Sequence, residues 1–99
     1  MTYTIPELRA IVSPLAQRYG AERVYLFGSY ARGDAHDDSD IDLRIDIGDI
    51  HGLQFAYLLG DLVDALKVPV DLISTTGMDQ AFLDTIRSEE VLLYERARP

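Results

Sequence analysis

The sequence predicts one small α/β (or α+β) domain that covers residues 1–99. A chain of 99 residues has room for a single hydrophobic core. Its hydrophobic content of 47% is typical of a globular protein. Segments with helical and strand-like spacing follow one another in the order helix, strand, strand, helix, strand, helix, strand. Both kinds of element are therefore expected in the same domain.

The first helix is indicated by its start signal. Thr4 and Glu7 have the spacing of a capping box, and Pro6 lies in the first turn. The helix should end at Gly20, and Pro14 should kink or split it, because the proline ring removes one backbone donor. The apolar residues at helical spacing are Leu8, Ile11, Val12, Leu15 and Tyr19.

Two strands of different type follow this helix. The segment "RVYLF", residues 23–27, is apolar on both faces, which favours a central strand covered on two sides. The segment "DIDLRID", residues 40–46, alternates, which favours a strand with one buried face. Ile41, Leu43 and Ile45 share its apolar face, and Asp40, Asp42, Arg44 and Asp46 share the other.

The second helix is predicted over residues 49–66, with Asp61 and Asp64 on its wet side. Its apolar positions are Ile50, Leu53, Leu59, Leu62, Val63 and Leu66. A third strand, "VPVDLIS" at residues 68–74, comes next. Because a helix joins it to residues 40–46, the two strands are candidates for parallel neighbours through a crossover connection.

The last part of the chain predicts a short helix at residues 79–88 and a final strand, "VLLYE". Phe82, Leu83 and Ile86 should face inward from this helix. No repeat or low-complexity segment interrupts the pattern.

Charge and composition exclude several classes of function. The formal net charge of −8 would repel a phosphate backbone, and the nine Lys and Arg residues are scattered singly, so direct nucleic-acid binding is not expected. No apolar run reaches the roughly 18 residues that would span a membrane. Cysteine is absent, which excludes disulfides and thiolate metal sites. Since no basic segment precedes an apolar one at the N-terminus, a cytoplasmic location is expected.

Residues 28–43 invite comparison with two known ligand loops. Gly28 and Gly33 have the spacing that opens a P-loop, but Asp34 and Ala35 stand where the lysine and the hydroxyl residue should follow. The P-loop interpretation therefore fails.

A calcium loop is the second comparison. Asp38, Asp40 and Asp42 imitate its first half, yet Leu43 occupies the position that needs glycine for the sharp turn. Taken by itself, the Asp40-Ile41-Asp42 pattern is also compatible with an ordinary solvated strand face.

The full stretch "GSYARGDAHDDSDID" is more informative than its parts. Gly28-Ser29 stands at the end of a strand, ten residues follow, and Asp40-Ile41-Asp42 enters the next strand. This combination resembles the minimal nucleotidyltransferases (MNT) of the DNA polymerase β superfamily, in particular the MntA-type antitoxins encoded beside HEPN partners. The resemblance extends along nearly the whole chain and implies a small mixed sheet flanked by helices.

For the carboxylates, the resemblance implies metal ligation and catalysis by Asp40, Asp42 and Asp71. Two carboxylates about 5 Å apart repel by roughly 3 kcal/mol at an effective dielectric near 20, which a cation would relieve. Mg²⁺ is the expected ion, with two ions in the site, and ATP is the expected substrate. Asp71 would activate the incoming hydroxyl; the alternative is an edge-strand Asp facing water, which the nearby Pro69 favours.

For the nucleotide, the resemblance implies binding by Gly28 and Ser29, which would approach the triphosphate, and by Arg32 near the leaving pyrophosphate. Ser39 should cap a mobile loop over the nucleotide. The alternative for Arg32 is an ion pair within its own loop, with Asp34, Asp37 or Asp38 as partner.

Two histidines tempt one to assign a catalytic base. His36 and His51 both fall in polar loop or helix-start positions, so solvated side chains are expected instead.

The implied function is Mg²⁺-dependent transfer of AMP from ATP to a hydroxyl. The resemblance to MNT proteins implies a tyrosine of a partner HEPN ribonuclease as acceptor, which would make the chain an antitoxin. Two alternatives stay open: a binding module that neutralises the toxin by stoichiometric contact, and a transferase acting on a small molecule. A homo-oligomer is also left open.

Overall fold

The computed structural model describes residues 2–97, which form helices packed on a four-stranded sheet. The helices are α1 (Ile5–Tyr19), α2 (Ser29–Arg32), α3 (Gln54–Leu66) and α4 (Gln80–Arg87), and the strands are β1 (Arg23–Phe27), β2 (Ile41–Asp46), β3 (Val70–Ser74) and β4 (Val91–Glu95). A 3₁₀ turn at Thr75–Gly77 follows β3. Within residues 2–97, no helix combines the length and the apolar character that a membrane crossing needs.

The sheet has the strand order β3-β2-β1-β4 and is mixed, as predicted. β2 and β3 run parallel, which confirms the expected pairing across the second long helix, while β1 is antiparallel to both β2 and β4. β1 is therefore a central strand, and β3 is an edge strand, in agreement with the expectation from Pro69.

α1 begins with the predicted capping box. The Thr4 hydroxyl accepts from the Glu7 amide at 3.2 Å, and Glu7 Oε1 accepts from the Thr4 amide at 2.8 Å. The helix then runs unbroken through Pro14 to Gly20, so the expected split is wrong. Pro14 and Ala10 are both exposed, so the carbonyl that the proline ring leaves without a donor can bind water.

The start of the second long helix was predicted too early. Residues 49–53 form turns, and α3 begins at Gln54. Gly48 and Gly52 both adopt φ of +57°, a left-handed conformation that interrupts a helix. Leu53 is consequently 70% exposed, although its spacing favoured the core. The buried positions of α3 are Leu58, Leu62 and Leu66; of the predicted inward residues, Val63 is 37% exposed.

Other boundaries differ by one or two residues. β2 begins at Ile41, so Asp40 precedes the strand, and β3 begins at Val70 because Pro69 has no amide to donate. β1 and β4 have the predicted bounds.

The two faces of the sheet carry different cores. The larger core lies under α1 and α3 and includes the fully buried Ile41, Leu43 and Ile45 of β2, as the alternation predicts. The smaller core lies on the other face, where α4 packs Leu83 and Ile86 against Phe27. Phe82 is 42% exposed rather than inward, with its ring edge-on to Phe27. The second face also carries Asp42 and Asp71.

Candidate active site

At Gly28, the end of β1 lies against the carboxylate of Asp42. Gly28 adopts φ 75° and ψ −155°, a region that residues with a side chain essentially avoid. A Cβ on Gly28 would lie 2.1 Å from Asp42 Oδ2 and 3.0 Å from its Cγ. The close approach therefore requires glycine, and it joins the two halves of the motif in space.

Asp42 lies at the centre of the site. In the sheet register it stands opposite Phe27 of β1 and beside Asp71 of β3. Burial raises the pKa of Asp42 to about 6, with further contributions from the charge of Asp71, a hydrogen bond with it, and the charge of Asp40. That hydrogen bond requires one of the two carboxyl groups to carry a proton. Burial and the two neighbouring carboxylates thus disfavour the charged form of Asp42.

Asp40 and Asp71 occupy more open positions than Asp42. Asp40 lies just before β2 and is exposed, and Asp71 is exposed on the edge strand. Asp71 thus faces water on the edge strand, as the alternative expected, and also interacts with Asp42; its catalytic role stays a prediction. The structure brings Asp42 and Asp71 together, with Asp40 close enough to influence Asp42.

The donor set suits a divalent cation, although the site is not closed around one. Within the described part of the chain, no group of three or more His, Asp or Glu side chains has the geometry of a metal site. Carboxylate oxygens are the ligands that Mg²⁺ prefers. The raised pKa of Asp42 arises from burial and like-charge repulsion, which a cation would relieve. The chemistry of Asp40, Asp42 and Asp71 therefore suits Mg²⁺, and their role as its ligands stays a prediction.

The two predicted serines differ in their surroundings. Ser29 begins α2 immediately after Gly28, and within residues 2–97 its hydroxyl has no hydrogen-bond partner. Ser39 Oγ accepts from the His36 amide at 2.9 Å and lies 3.1 Å from His36 Nδ1. Ser29 thus has a hydroxyl available for a ligand, whereas Ser39 holds the turn of residues 36–39, which fits a capping role in the loop.

Arg32 is the last residue of α2, and two acids hold its side chain. Its Nε is 3.3 Å from Asp34 Oδ2, so the alternative of a local ion pair is present. Its guanidinium is also 3.4 Å from Glu89. These hydrogen bonds raise the pKa of Arg32, with the bond to Asp34 as the larger cause.

Sequence reasoning missed Glu89 and its neighbour. Glu89 also accepts from the Gly28 amide at 3.3 Å. Glu90 pairs with Arg44, whose side chain is buried on the same sheet face as Asp42 and lies under the ring of Tyr25. Two adjacent acids before an apolar strand were the available signal, but only the pairing of β4 with β1 places them beside the site.

Both histidines lie on exposed turns. The His36 side chain is 78% exposed, and His51 is exposed at the turn before α3. The expectation of solvated histidines is confirmed.

Comparison with known proteins shows the family to which the sequence is similar. The family model for polymerase β nucleotidyltransferases matches residues 10–99. The chain is 31% identical over 93 residues to the protein adenylyltransferase MntA of Thermococcus cleftensis, covering 89% of this chain and 94% of that protein.

Three solved structures share the fold. One, provisionally assigned as a minimal nucleotidyltransferase, has a TM-score of 0.77 at 34% identity and covers 90% of this chain and 95% of its own. A toxin–antitoxin structure with AMP-PNP has a TM-score of 0.77 at 24% identity, over 89% of this chain and 73% of that one. A structure of a tri-AMPylated Shewanella oneidensis HEPN toxin in complex with MNT antitoxin has a TM-score of 0.72 at 20% identity, over 94% and 74%. The fold, the motif and the family model agree, and the chain belongs to the polymerase β nucleotidyltransferase family.

Proposed function

We propose that this protein transfers AMP from ATP to a tyrosine hydroxyl of a HEPN-type ribonuclease and thereby acts as its antitoxin. The whole-length similarity to a protein named protein adenylyltransferase MntA supports adenylyl transfer to a protein. The solved complex of a HEPN toxin with an MNT antitoxin of the same fold supports a HEPN partner. We expect the reaction to take place in the cytoplasm, with Mg²⁺ as the required ion.

The observation that carries this proposal is the packing of Gly28 against Asp42, beside Asp71. A solvated strand face has no need of a glycine so close to a carboxylate that a Cβ would lie 2.1 Å from its oxygen, or of a second carboxylate next to it. Nucleotidyl transfer needs a close backbone approach to the triphosphate and carboxylates at the reacting phosphorus. The contact between Gly28 and Asp42 supports the assignment of both roles to this end of the sheet.

The reaction can be assigned to residues of this chain. Asp40, Asp42 and Asp71 would hold Mg²⁺, which supplies charge stabilisation to the attacking and leaving oxygens. The turn at Gly28-Ser29 binds the terminal phosphates through the Ser29 amide and the Ser29 hydroxyl. The acceptor oxygen attacks the α-phosphorus, its proton passes to Asp71, and the bond to the β-phosphate oxygen breaks to release pyrophosphate. Arg32 stabilises the charge on that leaving group.

The position of Asp71 suits a large acceptor. It is exposed on the edge strand β3, so the side of the site from which the hydroxyl approaches is open to solvent. A tyrosine carried on the surface of another protein can therefore reach it, and a small-molecule acceptor needs no such opening.

The test is intact-mass measurement of a purified HEPN ribonuclease from the same genome after incubation with MgATP and a catalytic amount of this protein. Each adenylyl transfer should add about 329 Da to the partner. Ribonuclease activity should disappear at substoichiometric ratios, and Tyr→Phe replacement of the modified residue in the partner should abolish the mass gain.

The Asp40→Asn, Asp42→Asn variant is the control that separates catalysis from stoichiometric binding. If the protein acts as an enzyme, it requires these carboxylates. The variant should then transfer no AMP to the partner and leave its ribonuclease activity unchanged. Neutralisation of the ribonuclease by an equal amount of the variant, without ATP and without a mass gain, would refute the proposal and favour a binding module.

A further inference from the structure

Glu89, at the junction between α4 and β4, touches two parts of the predicted nucleotide-binding segment. Its Oε1 accepts a hydrogen bond from the Gly28 amide at 3.3 Å and lies 3.4 Å from the Arg32 guanidinium. The Glu89 side chain is only 25% exposed, so these contacts are not those of a freely rotating surface acid. The Glu89 carboxylate thus contacts both the Gly28 amide and the Arg32 guanidinium, which belong to the predicted nucleotide-binding segment.

Arg32 is restrained from two sides. Asp34 binds its Nε at 3.3 Å, and both oxygens of Glu89 lie 3.4 Å from its Nη1. The side chain is still 48% exposed, which leaves part of the guanidinium accessible. An arginine ordered before its ligand arrives loses less side-chain entropy on binding.

The neighbouring residue anchors Glu89 to the sheet. Glu90 makes a two-point contact with Arg44, at 3.0 Å from Nε and 2.6 Å from Nη2. Arg44 is 4% exposed, and the ring of Tyr25 lies 4.0 Å from its guanidinium carbon. A buried two-point pair restrains the backbone at residues 89–90, and therefore the position of the Glu89 side chain.

We propose that Glu89 is a positioning residue for nucleotide binding, which presets the Gly28 turn and the Arg32 guanidinium for a triphosphate. The inference rests on the proposed function, because the ligand is the nucleotide of that reaction. An acid near a phosphate site also repels it, but Glu89 forms an ion pair with Arg32 and its charge is largely compensated. The gain from holding Arg32 in position should therefore exceed the repulsion between Glu89 and the triphosphate.

Calorimetric titration with AMP-PNP and Mg²⁺ tests this without any catalytic readout. Glu89→Gln keeps an oxygen for the Gly28 amide but loses the charge that orients Arg32, so affinity should fall about fivefold. Glu95→Gln is the matched control, because Glu95 pairs with Arg23 at the far end of the sheet and the change in charge is the same. It should change affinity by less than about twofold.

Dependence on Arg32 distinguishes positioning from a general structural role. In an Arg32→Ala background, Glu89→Gln should cause no further loss. Asp34→Asn, which loosens Arg32 without altering the α4–β4 junction, should weaken binding less than Glu89→Gln does, since Asp34 is 62% exposed. This second variant keeps the test valid if Glu89→Gln folds poorly, which thermal melts would show.

Three results would overturn the inference. These are unchanged or tighter binding by Glu89→Gln, an equal loss in the Arg32→Ala background, and unchanged binding by Asp34→Asn together with a poorly folded Glu89→Gln. Failure of the unmodified protein to bind AMP-PNP would contradict the proposed function itself, and the role of Glu89 with it.

Discussion

Gly28 and Asp42 are in such close contact that a methyl group on Gly28 would overlap a carboxylate oxygen, at 2.1 Å. The contact couples the nucleotide-binding turn to the central acid, although 13 residues separate the two in sequence. The intervening residues form α2 and a loop, which return the chain from the end of β1 to the start of β2. Because the two strands are antiparallel, the end of β1 and the start of β2 lie next to each other.

Gly28→Ala should abolish nucleotidyl transfer and destabilise the fold by about 2–4 kcal/mol, the sum of backbone strain and overpacking. Gly33→Ala is the matched control, since Gly33 also has positive φ (+85°) but nothing lies within 4 Å of its would-be Cβ. It should cost only about 1 kcal/mol. Urea denaturation would measure both. Equal destabilisation by the two substitutions would show that the Asp42 contact is unimportant.

Asp42→Asn should abolish transfer and leave the fold intact or slightly stabilised, because like-charge repulsion with Asp71 and Asp40 is removed. The unmodified protein should gain thermal stability on addition of Mg²⁺, and the Asp40→Asn, Asp42→Asn variant should not. Thermal melts with and without Mg²⁺ provide the measurement. A double variant that kept its activity and its response to Mg²⁺ would exclude these carboxylates as metal ligands.

The stability of the metal-free protein should depend on pH through Asp42. Its pKa is raised from 3.8 to about 6 on folding, so the folded state binds more protons than the unfolded state between these values. Stability from this group is therefore full below about pH 4 and is lost as pH rises through about 6. The loss should be about 1 kcal/mol, because solvent screens a half-buried carboxylate. Urea denaturation in EDTA from pH 4 to pH 8 would show the effect, and Asp42→Asn should remove it.

The buried Arg44–Glu90 pair should be sensitive to the loss of one partner. Arg44→Met should cost about 3–5 kcal/mol, because it leaves Glu90 as an uncompensated charge in a buried position. The double variant Arg44→Met, Glu90→Gln should recover most of this loss, since no charge then remains buried. Additive losses in the double variant, measured in urea, would argue against direct coupling of the two side chains.

Elements that depend on residues close together in the sequence are predicted more accurately than features that depend on distant residues. β1 and β4 were predicted with their observed bounds, because short apolar segments between turn residues depend mainly on local pattern. The predicted start of α3 is wrong. Ile50 and Leu53 have helical spacing, but the left-handed conformations of Gly48 and Gly52 prevent a helix there.

The same distinction applies to the site. The Gly28-Ser29 and Asp40-Ile41-Asp42 pairs belong to one local motif, and the structure brings Gly28 against Asp42. Glu89 contacts Arg32 across 57 residues of sequence, and only the pairing of β4 with β1 places it there. Periodicity carries no information about such a contact.

The last prediction concerns the two serines, which differ in whether their hydroxyls are already engaged. Ser29→Ala should weaken binding of MgATP by about 1.5–3 kcal/mol, the value of a hydrogen bond to a charged group. Ser39→Ala should have a smaller effect, because the Ser39 hydroxyl accepts from the His36 amide. It can therefore affect the nucleotide only indirectly, by holding the loop in place. Calorimetric titration compares the two, with Ser13→Ala as control, since the Ser13 hydroxyl donates to the Leu93 carbonyl between α1 and β4, away from the site. Unchanged affinity in Ser29→Ala would remove this serine from the site, and a larger loss in Ser39→Ala would transfer the phosphate contact to the loop.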